Sequence, residues 1–233
     1  MTEEQKYLLE GEQTKITSLV KKHAEKAKEI LINIRPDLDP NLILAEKVAK
    51  YILTALPEMK GYKSQTNTKK DIDEQRVLKD SLFRKRTANQ LLIEGYYPTC
   101  SDIGILFRTL MIALGVSTAY VETFHEDYLL GKAFHGHVVG KIFSKGKWYF
   151  VDPQNNKQRI SKNKTDLFPL IIYKEGLDSW DIKIKGYEDM HKAKKENLNE
   201  LIKEYKRVIK NNYENKIKMA GEVMKNPSLA EIK

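Results

Sequence analysis

The stretch that decides the fold is TCSDIGILFRTLMIALG, residues 99–115. Thr99 and Asp102 have the spacing of a capping box, in which two side chains satisfy backbone N–H groups at the start of a helix. After them, large apolar side chains recur in steps of three and four residues, as on the buried face of a helix: Ile103, Leu106, Phe107, Leu110, Met111 and Leu114. This pattern predicts a helix over 100–114 with Cys100 in its first turn.

The residues that follow this helix predict short strands. Residues 117–123 are rich in Val, Thr and Tyr, which favour strands. The runs 137–143 and 147–152 predict the two strands of a hairpin, and residues 167–173 predict a further strand. Pro169 within the last run favours the edge of a sheet, where a missing N–H costs no hydrogen bond between strands.

The rest of the chain predicts helices. An apolar stripe that starts at Ile16 favours one long helix over 4–34. The other predicted elements are a helix that begins at Asp39 and Pro40, a loop or linker over 57–70, helices over 71–86 and 87–94, and a long amphipathic helix from about residue 187.

The order of helices, antiparallel strands and a final helix predicts an α+β fold. In this fold the helix over 100–114 packs on a small antiparallel sheet. We divide the chain into a helical N-terminal extension over 1–70, a core over 71–185, and a C-terminal helix and tail over 186–233.

The composition restricts the class of protein. The chain has 233 residues, of which 41% are hydrophobic and 9% aromatic, enough for a packed core. No run approaches the ~18 apolar residues of a membrane span, and the stretch MTEEQKYLLEGEQ lacks the features of a secretory signal, so we expect a cytoplasmic protein. The net charge of +9 comes with acidic residues interleaved among the basic ones, which indicates a solvated surface and no nucleic-acid partner.

Cys100 is the only cysteine in the sequence, so the chain cannot form an internal disulfide. A lone cysteine is usually a small buried hydrophobe, and it becomes a candidate nucleophile only if a histidine and a carboxylate can reach it. In the first turn of a helix, the partial positive charge of the helix stabilises a thiolate, and the free N–H groups can bind an oxyanion.

The predicted hairpin supplies such a histidine and carboxylate. If the turn has two loop residues, 145–146, then His137 lies opposite Gln154 on the neighbouring strand. Asp152 then lies on the same face, diagonal to His137 at ~7–8 Å between backbones, within reach of a ring and a carboxylate. With a three-residue loop, Asp152 would lie on the other face of the sheet and could not reach His137.

Two segments resemble the transglutaminase-like superfamily, whose fold is papain-like. CSDIGILFRTLMIALGVSTAYVET, residues 100–123, resembles the nucleophile helix and first strand of that family. GHVVGKIFSKGKWYFVDP, residues 136–153, resembles its histidine strand and the strand with the pattern G-x-W…D-P. The resemblance covers about residues 87–155.

The resemblance implies that Cys100 is the nucleophile, His137 the base and Asp152 the residue that orients it. It implies a papain-like core that hydrolyses or transfers the acyl group of an amide, with a peptide or protein as substrate. This chemistry requires no cofactor and no metal ion. The oligomeric state stays open.

The chain departs from the family pattern in the residues before the cysteine, where Tyr97-Pro98-Thr99 stands in place of the usual glycine, and at Val139, where an aromatic residue is common. Because of these departures, the sequence does not identify the second group that donates a hydrogen bond to the oxyanion. The candidates for that donor or for substrate contacts are Tyr97, Gln90, His135 and Trp148. The alternative function is a catalytically silent module that keeps the fold and binds peptides or a partner protein.

Overall fold

The computed structural model describes residues 1–32, 39–54, 77, 80–95, 97–132, 136–154 and 160–225, the last of these from residue 212 onward by its backbone alone. Its helices are α1 (Glu3–Lys6), α2 (Ser18–Lys28), α3 (Pro40–Thr54), α4 (Ala88–Glu94), α5 (Cys100–Ala113), α6 (Glu126–Leu129) and α7 (Tyr187–Lys225). Its strands are β1 (Thr118–His125), β2 (Gly136–Ser144), β3 (Lys147–Val151), β4 (Ile160–Ser161) and β5 (Leu170–Gly176).

Helix α5 begins where the sequence predicts, because its capping box forms. The Thr99 hydroxyl accepts a hydrogen bond from the Asp102 N–H at 3.2 Å, and Asp102 Oδ2 accepts one from the Thr99 N–H at 3.2 Å. Arg86 Nη2 lies 3.3 Å from the same carboxylate, which is almost fully buried. Burial raises the pKa of Asp102, and the charge of Arg86 opposes that rise.

The described strands form one antiparallel sheet in the order β4-β3-β2-β1-β5. Strand β5 pairs with β1 at the edge of the sheet, which confirms the edge position predicted from Pro169. The mixture of helices and an antiparallel sheet confirms the α+β class.

The sheet is covered on both faces. One face packs against α5 and the other helices in the larger core, which includes Leu106, Phe107 and Val138. A smaller apolar cluster on the opposite face contains Tyr7 from the residue that follows α1, together with Val121 and Val139. The central strands are therefore almost completely buried, and functional side chains must lie at their ends.

The predicted single helix over 4–34 is wrong. The chain forms α1, leaves the helical conformation, and begins α2 only at Ser18, where the Thr17 hydroxyl accepts a hydrogen bond from the Val20 N–H. Gln13 and Thr14 in the intervening segment are fully buried, although both are polar. Only the part of the apolar stripe between residues 18 and 28 is helical, and tertiary contacts of the segment before it replace helical hydrogen bonds.

Several predictions fall wholly or partly outside the described residues. The loop or linker over 57–70 and half of the helix over 71–86 lie there, and the domain boundaries near 70 and 185 stay predictions. Within the described residues, no helix combines the length and apolar character needed to cross a bilayer.

Candidate active site

Cys100 is the first residue of α5, and its side chain is half-buried. The helix runs beside β2 in the same direction, with Gly104 against Val138 and Phe107 against Gly140. A Cβ at Gly104 would lie 2.3 Å from Val138 Cγ1, so the glycine allows the helix to approach the strand closely. Cys100 precedes Gly104 by about one turn and therefore lies level with the start of β2.

The hairpin that holds the other two residues has the predicted register. Lys145 and Gly146 are its two loop residues, with φ of 44° and 74°, as a two-residue type I′ turn requires. Ser144 pairs with Lys147 at the closed end of the hairpin. Asp152 directly follows β3, at the open end.

His137 and Asp152 meet at this open end. His137 Nε2 lies 3.0 Å from Asp152 Oδ2, and each side chain is 18% exposed. The other oxygen, Asp152 Oδ1, accepts a hydrogen bond from the Gln154 N–H at 3.0 Å. The Thr123 hydroxyl donates to the His137 carbonyl at 2.8 Å. The carboxylate and the backbone of the histidine are thus both held in place.

The Cys100 side chain lies close enough to the ring of His137 to act on its pKa. Burial acts to lower the pKa of His137, but the hydrogen bond to Asp152, the neighbouring Cys100 and the charge of Asp152 outweigh it and raise the pKa to about 10. The ring is therefore an imidazolium at neutral pH. The structure brings together the three residues that the sequence selected, with the imidazole between sulfur and carboxylate.

The sequence did not predict a buried ion pair that lies near these residues. Arg84 Nη2 donates to both carboxylate oxygens of Glu122 at 2.7 Å, and the Tyr120 hydroxyl donates to the same carboxylate at 3.4 Å. Glu122 shares a face of β1 with Tyr120 and Phe124, and a lone carboxylate between aromatic residues on a strand is a signal that a cation must lie against it.

Two of the other candidate residues, Tyr97 and Gln90, interact with neighbouring side chains. Tyr97 is buried, and the pKa of its phenol is raised to about 12 by burial and then by the nearby Tyr51. Gln90 is exposed, and its side-chain oxygen accepts hydrogen bonds from Thr87 in the capping box of α4. These contacts give each side chain a structural role, and a role in oxyanion binding stays a prediction for both.

The remaining candidates are Trp148 and His135. Trp148 packs edge-to-face on Tyr7 and beside Phe143 in the smaller apolar cluster. It precedes Asp152 by four positions, about 13 Å along a strand, so it belongs to the closed end of the hairpin and not to the surroundings of the carboxylate. His135 lies outside the described residues.

A metal centre finds no support in the described part of the chain. No group of three or more His, Cys, Asp or Glu side chains is placed there to hold a metal ion. The site places a thiol, an imidazolium and a carboxylate together.

Comparisons with known proteins gave one structural match that we report. No protein-family model matches the chain, and no curated protein matches it. The match is a crystal structure described as that of a candidate cysteine protease from Cytophaga hutchinsonii, with 17% identity and a TM-score of 0.46. It covers 76% of this chain and 48% of that one, so this chain spans about half the length of its neighbour.

Proposed function

We propose that this chain is a thiol-dependent hydrolase or acyltransferase of the transglutaminase-like, papain-like kind that acts on an amide bond of a peptide or protein. Cys100 is the nucleophile, His137 the acid and base, and Asp152 the residue that orients the ring. The observation that supports this most is the position of the His137 imidazole, which is hydrogen-bonded to Asp152 Oδ2 at 3.0 Å and close enough to Cys100 for the thiol to act on its pKa.

The reaction follows from these positions. The Cys100 proton resides on His137, and the thiolate attacks the amide carbonyl to form a tetrahedral oxyanion next to the N-terminus of α5. His137 then gives its proton to the leaving amine, which leaves an acyl group on sulfur. Water or an amine attacks this thioester, His137 takes a proton from the attacking group, and the thiolate is restored. Water as acceptor gives hydrolysis, and an amine gives acyl transfer.

The experiment that tests the proposal is labelling with a peptide that carries an electrophilic group, together with the pH dependence of alkylation by iodoacetamide. We expect the parent protein to be labelled at Cys100, and to be alkylated well below pH 8. His137→Ala should slow both reactions by at least about 100-fold, as loss of a positioned base does. His23→Ala is the matched control, because His23 is also partly buried and hydrogen-bonded, to Tyr51 at 2.7 Å, but lies on α2.

Two results would contradict the proposal. Labelling that persists in Cys100→Ala would show that the nucleophile is a different residue. Alkylation of the parent with the pH dependence of a free thiol, and with no change in His137→Ala, would favour the silent binding module.

A further inference from the structure

The buried pair of Arg84 and Glu122 has no part in the mechanism above, and stability does not explain it. The two side chains are 1% and 0% exposed. Removing two charges from water is costly, and apolar side chains of similar volume at such positions often leave a protein as stable or more stable. The described residues also leave Arg84 Nε and Nη1 without a hydrogen-bond partner, although both atoms are buried. Two nitrogen atoms of the buried guanidinium therefore form no hydrogen bond within the described residues, although the group carries a full positive charge.

Glu122 lies next to His137. In the pairing of β1 with β2, Glu122 is opposite Val138, and Thr123 is opposite His137. Glu122 Oε1 lies 3.7 Å from the position that a Cβ would have on Gly136. The carboxylate thus lies against Gly136 at the beginning of β2, the residue before His137. Burial raises the pKa of Glu122, and the positive charges of Arg84 and His137 oppose that rise.

Arg84 is held rigidly on the other side of the pair. Its φ of 59° is unusual for a residue with a long side chain, so its surroundings must fix this conformation. The Arg84 carbonyl accepts hydrogen bonds from Gln13 Nε2 at 3.1 Å and from Trp180 Nε1 at 2.7 Å. Burial acts to lower the pKa of Arg84, but the charges of Glu122, Tyr120 and Cys100 raise it. Tyr120, whose hydroxyl donates to the same carboxylate, has its Cε2 3.3 Å from the position of a Cβ on Gly104, so the pair lies near the first turn of α5, where Cys100 is.

We propose that Arg84 and Glu122 are positioning residues for the proposed acyl transfer, with the guanidinium stabilising the Cys100 thiolate and the carboxylate stabilising the His137 imidazolium. The four charges then alternate in sign, so that each one is next to its opposite. In a buried setting such an arrangement holds the thiol proton on the imidazole before substrate arrives. Since Nε2 is bonded to Asp152, the nitrogen that receives this proton is Nδ1.

The first test replaces both charges together. Arg84→Met combined with Glu122→Met removes the pair without leaving one buried charge alone. We expect the folded variant to show at least about a tenfold lower rate of Cys100 alkylation at pH 6–7, and an unchanged rate at pH 11, where any thiol is ionised. A folded variant with the pH profile of the parent would overturn the proposal.

The second test does not depend on that variant folding. Glu122→Gln keeps the shape of the side chain and an oxygen for Arg84 but removes the negative charge near His137. NMR titration should place the pKa of the His137 ring lower than in the parent by about one unit. Glu175→Gln is the matched control, because Glu175 is a partly buried carboxylate that pairs with Lys141 at 2.6 Å in the same sheet. An unshifted titration in Glu122→Gln, or an equal shift in both variants, would overturn the proposal.

The inference rests on the proposed function. The pH dependence of alkylation in the parent protein distinguishes failure of the proposed function from failure of the inference alone. If the parent already alkylates like a free thiol, the thiolate–imidazolium pair does not exist, and both proposals fail. If the parent reacts well below pH 8 and the variants at Arg84 and Glu122 match it, the proposed function stands and only the role of the buried pair is wrong.

Discussion

His137 combines the opposing effects that decide its charge. Burial alone would make the neutral imidazole the stable form, since removing a cation from water is unfavourable. The hydrogen bond to Asp152 and the neighbouring Cys100 prevail over burial, and the pKa rises to about 10. In the proposed reaction the residue would therefore act first as an acid, toward the leaving amine, and only afterwards as a base.

The first prediction at this scale concerns Asp152→Asn. The amide keeps the shape of the carboxylate but loses its charge, so the pKa of His137 should fall from about 10 by at least about one unit. NMR titration of the ring measures the shift. Asp127→Asn is the control, because Asp127 lies 3.5 Å from another histidine, His125, and should leave His137 unchanged. The same titration curve in Asp152→Asn and the parent would contradict the assigned contact.

The second prediction concerns stability and pH. The pKa of His137 is raised in the folded chain from 6.5 to about 10, so its contribution to stability is fully present below pH 6.5 and is lost as the pH rises through 10. The free energy of unfolding of the parent should exceed that of His137→Gln by a few kcal/mol at pH 6, on the order expected for such a shift. Urea unfolding should show this difference shrinking toward pH 10. A difference that grows with pH would show that the sign is wrong.

At the scale of elements, the contact of α5 with β2 determines whether the site can form. Gly104 lets the helix approach Val138, and Gly140 leaves room for Phe107, whose Cε1 lies 2.4 Å from the position of an added Cβ. The helix carries Cys100 and the strand carries His137, so the spacing of these elements sets the distance between sulfur and imidazole. Two glycines in the core thus set how closely the helix and the strand of the proposed site approach each other.

The third prediction is that Gly104→Ala destabilises the protein, although alanine is the better helix former by ~1 kcal/mol. The added Cβ would meet Val138 Cγ1 at 2.3 Å, and the resulting strain should lower the free energy of unfolding by ~1–3 kcal/mol and slow alkylation of Cys100. Val138→Ala in the same chain removes the clashing atom, so the double variant should recover reactivity. A single variant as stable and reactive as the parent would show that the contact does not set the geometry.

At the scale of the whole molecule, the segment between α1 and α2 connects distant parts of the chain. Gln13 Nε2 donates to the carbonyls of Arg84 and Arg86, and the Gln13 side-chain oxygen accepts a hydrogen bond from Ser179 at 2.6 Å. The Gln13 N–H donates to Asp178 Oδ2 at 2.8 Å. One buried side chain therefore joins the beginning of the chain, the residues before α4 and the residues after β5.

The fourth prediction is that Gln13→Ala lowers the free energy of unfolding by ~2–4 kcal/mol, because the Arg86 carbonyl and the Ser179 hydroxyl lose their bonds to Gln13 in a buried setting, while the Arg84 carbonyl keeps only its bond from Trp180. Since Gln13 holds the backbone of Arg84, reactivity of Cys100 should also fall. Gln5→Ala is the control, because its hydrogen bonds to Thr2 are exposed. Chemical denaturation compares the two variants, and equal stability losses would contradict the central position of Gln13.

Predictions from the sequence succeeded where the deciding contacts lie within a few residues. The start of α5 depends on Thr99 and Asp102, and the hairpin register depends on Lys145 and Gly146, so local hydrogen bonding and backbone preference determine both. That register also placed Asp152 diagonal to His137, which the structure confirms as a 3.0 Å contact.

The sequence by itself determined the capped helix and the turn, because each rests on contacts between near neighbours, and the choice of the three candidate residues came from these two elements together with the family resemblance. Only the tertiary structure decided that Gln13 is buried where a helix was predicted, and that Arg84 meets Glu122 across 38 positions of the chain. Burial and the pairing of buried charges depend on which distant segments come together. A local pattern of side chains contains no information about those distances.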